Sequence, residues 1–376
     1  MHPSSLLSYY PTYAILDEIV SYGSYKELNI FIDLKNNLQT TYMKHAVENI
    51  VESSKQSRFV DTSVFSSLIS FLSFHKIYGV KRGIETNFIV FFESGHSSYH
   101  KNIDKNYKVS RKIDDLYGLD KKDKDLFFQT LQANFQLIEK ACNRLPGVRV
   151  VRLPNLEADF IPYYALKRNL VKRGNGIGNI IYSNDHDLWQ CLDHDTVIFS
   201  KAGKTKKIVK RGNVLKMLLK KENNIPDEYL PLAMSVIGDP GDDVTGVNCV
   251  GPARFLEVFE ELTALTGTMN QLYDNVENNR SIFQSIPQSI VNKFLMKVVD
   301  DEVNNNTISK NLKLVSFELI SRALDNPRKT EMIDKRKIIE SVFSSEKETS
   351  TAEGMKRALE MAGVFLEEAS LDFLYI

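Results

Sequence analysis

Cysteine is scarce in this chain. Its 376 residues include only Cys142, Cys191 and Cys249, far apart and in no C-x-x-C spacing, which argues against a disulfide framework or a zinc knuckle. They read as small buried hydrophobes in a reducing, cytoplasmic compartment. Long apolar runs are lacking too: no stretch approaches 18 consecutive apolar residues, and Asp17 and Glu18 interrupt the one candidate leader, so neither a membrane span nor a signal segment is expected. An excess of one charge is also absent, with 48 basic residues against 48 acidic ones. That balance leaves room for a local basic face and a phosphate-bearing partner. With 26% charged and 43% hydrophobic residues the chain is neither disordered throughout nor fibrous, and it is long enough for two domains.

Short, nearly continuous apolar runs occur at Asn29 to Asp33, Phe88 to Glu93, Val148 to Leu153, Asn179 to Ser183 and Thr196 to Ser200. Such runs read as strands covered on both faces. Intervals of about 55, 54 and 25 residues between the first four suit crossover helices rather than hairpins. The expected fold class is therefore α/β, a mostly parallel central sheet flanked by helices.

Acids stand at three of the expected strand ends: Asp33, Glu93 and, just past the fourth run, Asp185. Ligands of open α/β sheets bind outside the carboxyl ends of the strands, although an acid after a strand is also an ordinary turn or cap residue. Three further clusters accompany them. Glu157 and Asp159 open an expected helix, Asp185 and Asp187 flank His186, and Asp239, Asp242 and Asp243 lie in a Gly-Asp-Pro-Gly-Asp-Asp run. All are hard oxygen ligands with no soft ligand among them, a set that suits Mg²⁺ or Mn²⁺ better than a calcium loop. Two such ions are a common device for displacement at phosphorus.

The ordered series Asp33, Glu93, Tyr107-Lys108-x-x-Arg111, Glu157-x-Asp159, Ser183-x-Asp185-x-Asp187 and Gly238-Asp239-x-x-Asp242 resembles the 5′ nuclease superfamily, which includes flap endonucleases, the polymerase I 5′ nuclease domain and the phage 5′ exonuclease and ribonuclease H enzymes. The run from Gly246 through Val247 and Gly251 to Ala253 is similar to that family's helix-hairpin-helix. Three positions depart from the pattern: Glu93 and Phe160 stand where the family has Asp, and Asp243 where it has Asn.

The resemblance implies a PIN-like nuclease core over residues 1–260 and a helical C-terminal region over 261–376. It implies that Asp33, Glu93, Glu157 and Asp159 serve one Mg²⁺ and Asp185, Asp187, Asp239 and Asp242 a second, with Mn²⁺ able to substitute. Lys108 and Arg111, three apart and expected on one helix face, would contact the scissile phosphate, and residues 94–145 would form an exposed helical arch. The hairpin, about 230–260, would offer Gly246, Val247 and Gly251 to a DNA phosphate, with K⁺ shared there. The implied substrate is DNA or RNA-primed DNA with a 5′ end or flap, in a bacterial or virus-infected host cytoplasm. Two rivals stand beside this reading: a junction-binding relative that cleaves poorly, and a PIN-type ribonuclease.

Residues 201–221 carry nine Lys or Arg and no acid. They read either as a solvated face or, through Lys204, Lys206 and Lys207, as a track for a duplex backbone. His96 and His100 have no third zinc ligand nearby and are expected on the arch surface. Gly174-x-Gly176-x-Gly178 precedes a strand, so it reads as a helix stop and turn rather than a dinucleotide loop. Asp193 to Asp195 is expected to cap a helix, Trp189 and Leu192 to pack behind the acids, and Ser350-x-x-Glu353 to open a last helix after a polar linker. The final hundred residues carry no named motif; docking of a replication protein is one role open to them.

Overall fold

The computed structural model describes residues 11–36, 63–109, 121–202, 205–212, 214–287, 289–326, 330–344, 350–361 and 372–375. Arg111 and Lys204 lie outside them, as does the middle of the expected arch.

Six strands form the main sheet: β1 (Glu27–Asp33), β2 (Glu85–Ser94), β3 (Val148–Pro154), β4 (Ile177–Tyr182), β5 (Thr196–Ala202) and β6 (Thr205–Val209). Their spatial order is β3-β2-β1-β4-β5-β6, the first five parallel and β6 antiparallel to β5. Alternation along each strand divides the apolar residues between two cores. Phe31, Ile89, Phe91, Val151, Ile181 and Ile198 face one, while Ile30, Ile32, Phe88, Val90, Ile180, Tyr182 and Phe199 face the other. Both faces are therefore covered, as the continuous apolar runs require.

The second face packs against α1 (Tyr13–Ser21), α2 (Ser63–Arg82) and α4 (Lys121–Cys142) through Leu16, Phe65, Leu72, Phe135 and Ile138. The stretch 94–145 is thus not exposed throughout. It holds the short α3 (Ser98–Ile103), and the C-terminal half of α4 turns Phe135, Ile138 and Cys142 into the core.

The first face carries α5 (Ile161–Lys167), α6 (Val214–Leu219), α7 (Leu230–Ile237) and α8 (Pro252–Thr266), then α9 (Met269–Glu277), α10 (Lys293–Asn305), α11 (Thr307–Val315), α12 (Phe317–Asp325) and α13 (Thr330–Ser344). One core cluster runs through these elements, from Phe31 to Ile339. Helix α11 lies along α7, and its buried Asn311 donates to the carbonyls of Ser235 and Thr245, both at 2.8 Å. Ion pairs join α5 to α12: Lys167 meets Glu318, and Arg168 meets Asp325.

Some local details differ from expectation. The last helix, α14 (Ala352–Met361), is capped by Thr351 rather than Ser350, because the Thr351 hydroxyl is the one that receives the Gly354 N–H, at 3.1 Å. Asp193 forms a turn into β5, its carboxylate accepting the Asp195 N–H at 2.9 Å, instead of capping a helix. Gly174 and Gly176 make the turn before β4 with φ of 130° and 81°. Among the described residues no helix is long and apolar enough to cross a membrane.

Candidate active site

Parallel pairing places β1 between β2 and β4, which puts their carboxyl ends side by side. Asp33 ends β1, Glu93 lies one residue before the end of β2, and Asp185 follows β4 after a short turn. Asp33 accepts the Ser183 hydroxyl at 2.9 Å and the Asn36 N–H at 3.0 Å. Ser183 in turn accepts the Asp185 N–H at 3.1 Å, and Asp185 the Asp187 N–H at 3.0 Å. This relay carries the chain from β4 into a 3-10 turn, Asp187–Cys191, behind which Trp189 is buried. Lys35 pairs with Glu93 at 2.6 Å.

A second group converges from three loops. Glu157 and Asp159 lie in the turn before α5 rather than within a helix, and Asp242 ends a 3-10 turn, Pro240–Asp242, between the two-residue strands β7 (Gly238–Asp239) and β8 (Val244–Thr245). Lys108 reaches both: its ammonium is 2.6 Å from Glu157 and 3.1 Å from Asp242, and its backbone N–H donates to the Asp242 carbonyl at 3.0 Å. It is not on a helix face as the spacing to Arg111 predicts. The chain leaves α3 at Ile103, and Lys108 sits in a turn with φ of 54°. The buried Tyr107 hydroxyl is 3.0 Å from Glu157 and 3.0 Å from Asp242, so one proton serves two carboxylates. Asp239 turns its carboxylate instead to the Gly241 N–H at 2.9 Å.

Burial dominates the electrostatics. It pushes the Asp33 carboxyl up to about 7, with the Asp185 and Glu93 charges adding to the rise against the Asn36 and Ser183 donors. Asp159, Asp185 and Asp187 are also raised, first by burial and then by neighbouring carboxylates. Glu157 is the exception: burial is its largest single influence and pushes it up, but Lys108, His100 and the Tyr107 hydroxyl together hold it below the usual range. For Lys108 the same pairing overcomes burial and raises it above an ordinary lysine. Two unit charges ~4 Å apart interact by about 4 kcal/mol at an effective dielectric of ~20. One ammonium at Glu157 and Asp242 and another at Glu93 therefore leave Asp33, Asp159, Asp185 and Asp187 under-compensated. As they stand, no three such groups among the described residues are gathered to the spacing of a single ion. The donor chemistry fits a hard divalent cation, and Lys108 would have to withdraw to admit one.

Phe160 contributes nothing polar here: its ring is buried against Tyr164, with centroids 6.4 Å apart. His100, expected at the surface, is buried and stacks on Tyr107 with centroids 4.7 Å apart and 14° between the planes. The sequence carries only a weak signal for this contact, a spacing of seven residues that the break after Ile103 would ordinarily spoil. Gln190, which no motif marks, donates to the Asp187 carbonyl at 3.2 Å.

The hairpin between α7 and α8 is tight. Gly238 has φ of 84°, and a Cβ on Gly246 would stand 2.1 Å from the Ile237 carbonyl oxygen. Val247 is buried, and its N–H is already given to the Val236 carbonyl at 2.8 Å. Around Gly251, at the start of α8, there is open space. Lys206 and Lys207 lie on the edge strand β6. With Lys210, Ile15, Glu18, Phe199 and Ile208 they line a cleft of about 320 Å³ between the paired strands β5 and β6 and helix α1.

Solved structures share this fold, two of them from phage T5. The D15 protein of phage T5, crystallised with metal ions, superposes with a TM-score of 0.51 at 17% identity, covering 89% of this chain and 99% of that one. At that identity the likeness is one of fold. A complex of the bacteriophage T5 D15 flap endonuclease with DNA and metal ions gives a TM-score of 0.50 at 18% identity, with the same coverage. No family model matches the sequence, and no curated protein matches it.

Proposed function

We propose that this chain is a metal-dependent 5′ nuclease, hydrolysing phosphodiester bonds at 5′ ends or flaps of DNA or RNA-primed DNA during replication or repair. The observation that carries the reading is the convergence of buried carboxylates from the ends of adjacent parallel strands and from three loops, within a fold shared with a phage flap endonuclease. Asp33, Glu93, Glu157 and Asp159 would hold one Mg²⁺, and Asp185, Asp187, Asp239 and Asp242 a second, with Mn²⁺ able to substitute. When bound, such ions supply charge stabilisation at phosphorus and acidify the attacking water.

The chain's own residues do the rest. Lys108 exchanges Glu157 and Asp242 for the scissile phosphate, with Arg111 as its companion. Tyr107 steers Glu157 and Asp242 by donating to them, and the Ser183 relay holds Asp33 and Asp185 in register. The products are a 5′-phosphate and a 3′-hydroxyl. The hairpin with Gly246, Val247 and Gly251 approaches the duplex, with K⁺ shared there, and Lys204, Lys206 and Lys207 follow its backbone.

The test is cleavage of a 5′-labelled flap in Mg²⁺ and in Mn²⁺, beside an Asp185→Asn plus Asp187→Asn variant. Cleavage near the junction, reduced on the order of 100-fold or more in the variant, is expected. A second reading, a junction-binding protein without turnover, is favoured by Lys108 bridging two of the acids. Tight junction binding without cleavage in either metal would decide for it.

A further inference from the structure

The chain passes from α11 to α12 within Leu314 to Phe317, around a fully buried Ser316 whose hydroxyl caps α12 through the Leu319 N–H at 3.3 Å. Helix ends leave backbone groups without helical partners. Here those partners are His100 and Gln190, which adjoin the acidic site. The Leu314 carbonyl is 3.1 Å from His100 Nε2, and Val315 accepts from Gln190 Nε2 at 2.8 Å. The Phe317 N–H donates to Gln190 Oε1 at 3.0 Å.

Each side chain then reaches a different wall. A carbonyl acceptor requires the proton on His100 Nε2, so Nδ1 accepts the Ser97 hydroxyl, 2.6 Å away, and both ring nitrogens are used. The ring so fixed lies flat on Tyr107, whose hydroxyl meets Glu157 and Asp242. Gln190 donates to the backbone carbonyl of Asp187, three residues before it in the same 3-10 turn, and so ties that turn to the junction. Plain packing would be served by an apolar residue at lower desolvation cost, whereas a saturated polar link specifies orientation.

We propose that His100 and Gln190 are positioning residues through which the α11–α12 junction sets the spacing between the Glu157/Asp242 wall and the Asp187 wall. This rests on the nuclease reading above, and it gives the C-terminal helices a part in metal loading.

The experiment is Mn²⁺ titration by electron paramagnetic resonance of the full chain, with flap kinetics and thermal melting alongside. His100→Phe keeps an aromatic ring over Tyr107 but loses both bonds; Gln190→Leu keeps volume and loses all three. Both are expected to weaken Mn²⁺ binding by ~10-fold and to lower kcat, with KM for the flap unchanged. His100→Gln, which can still donate to Leu314, should recover most of the loss. Ser97→Ala leaves the histidine in place and decides the matter if His100→Phe does not fold: weaker Mn²⁺ binding is expected there too.

Variants that melt lower yet bind Mn²⁺ like the parent would overturn the proposal and leave the nuclease reading standing. A parent chain that binds no Mn²⁺ would overturn both.

Discussion

At position 160 a phenylalanine stands where the resembled family carries a carboxylate, and its ring is wholly buried beside Tyr164. Restoring the acid would place a charge and a void in the core. Phe160→Asp is therefore expected to cost about 4 kcal/mol or more and to leave flap cleavage no higher, which urea unfolding and a cleavage assay would check. Lys108 is the opposite case, a residue whose place is decided by charge. Its left-handed backbone conformation, with φ of 54°, is held by bonds from both its N–H and its ammonium to Asp242.

Among the elements, the end of β1 and the turn that follows β4 place side by side carboxyl groups that burial raises, Asp33 to about 7 and Asp185 in the same direction. A carboxyl whose folded pKa lies above its unfolded value of 3.8 binds protons more tightly in the folded state. Its contribution to stability is full below that unfolded value and is lost as pH rises through the folded one. The metal-free protein should therefore melt lower at pH 8 than at pH 6, and added Mg²⁺ should raise the midpoint more at pH 8; equal shifts at both pH values would contradict this. The α7–α8 hairpin offers a mechanical test. Gly246→Ala forces a Cβ to 2.1 Å from the Ile237 carbonyl oxygen, so the hairpin must shift, at an expected cost of ~1–3 kcal/mol in a denaturant melt.

Over the whole molecule, charge is balanced in sum and uneven in place. The edge strand β6 brings Lys206 and Lys207 to the rim of a cleft closed on its other side by α1. If duplex backbone follows this edge, Lys206→Ala plus Lys207→Ala should weaken duplex binding and reduce the slope of log affinity against log salt by ~2. An unchanged slope in an anisotropy titration would locate the track elsewhere. The two-sided cover of the sheet also makes the later helices part of the same core as the strand ends, from Phe31 through Leu232 to Phe317.

The parallel strands and their acids were legible in the sequence because continuous apolar runs, long intervals and hard ligands are local properties. Asp33, Glu93 and Asp185 follow from strand ends alone. Strand β6 escaped that reading, since Thr205–Val209 looks like part of a basic run until β5 pairs with it. His100 was misassigned for a related reason: its environment comes from Leu314, 214 residues away, and no spacing rule spans that interval. The sequence by itself determined which side chains carry charge, which runs become strands and which acids end them. Only the tertiary structure decided that Lys108 lies between Glu157 and Asp242, that Phe160 turns inward, and that the α11–α12 junction is bonded to His100 and Gln190, because burial and charge pairing depend on neighbours that chain order does not name.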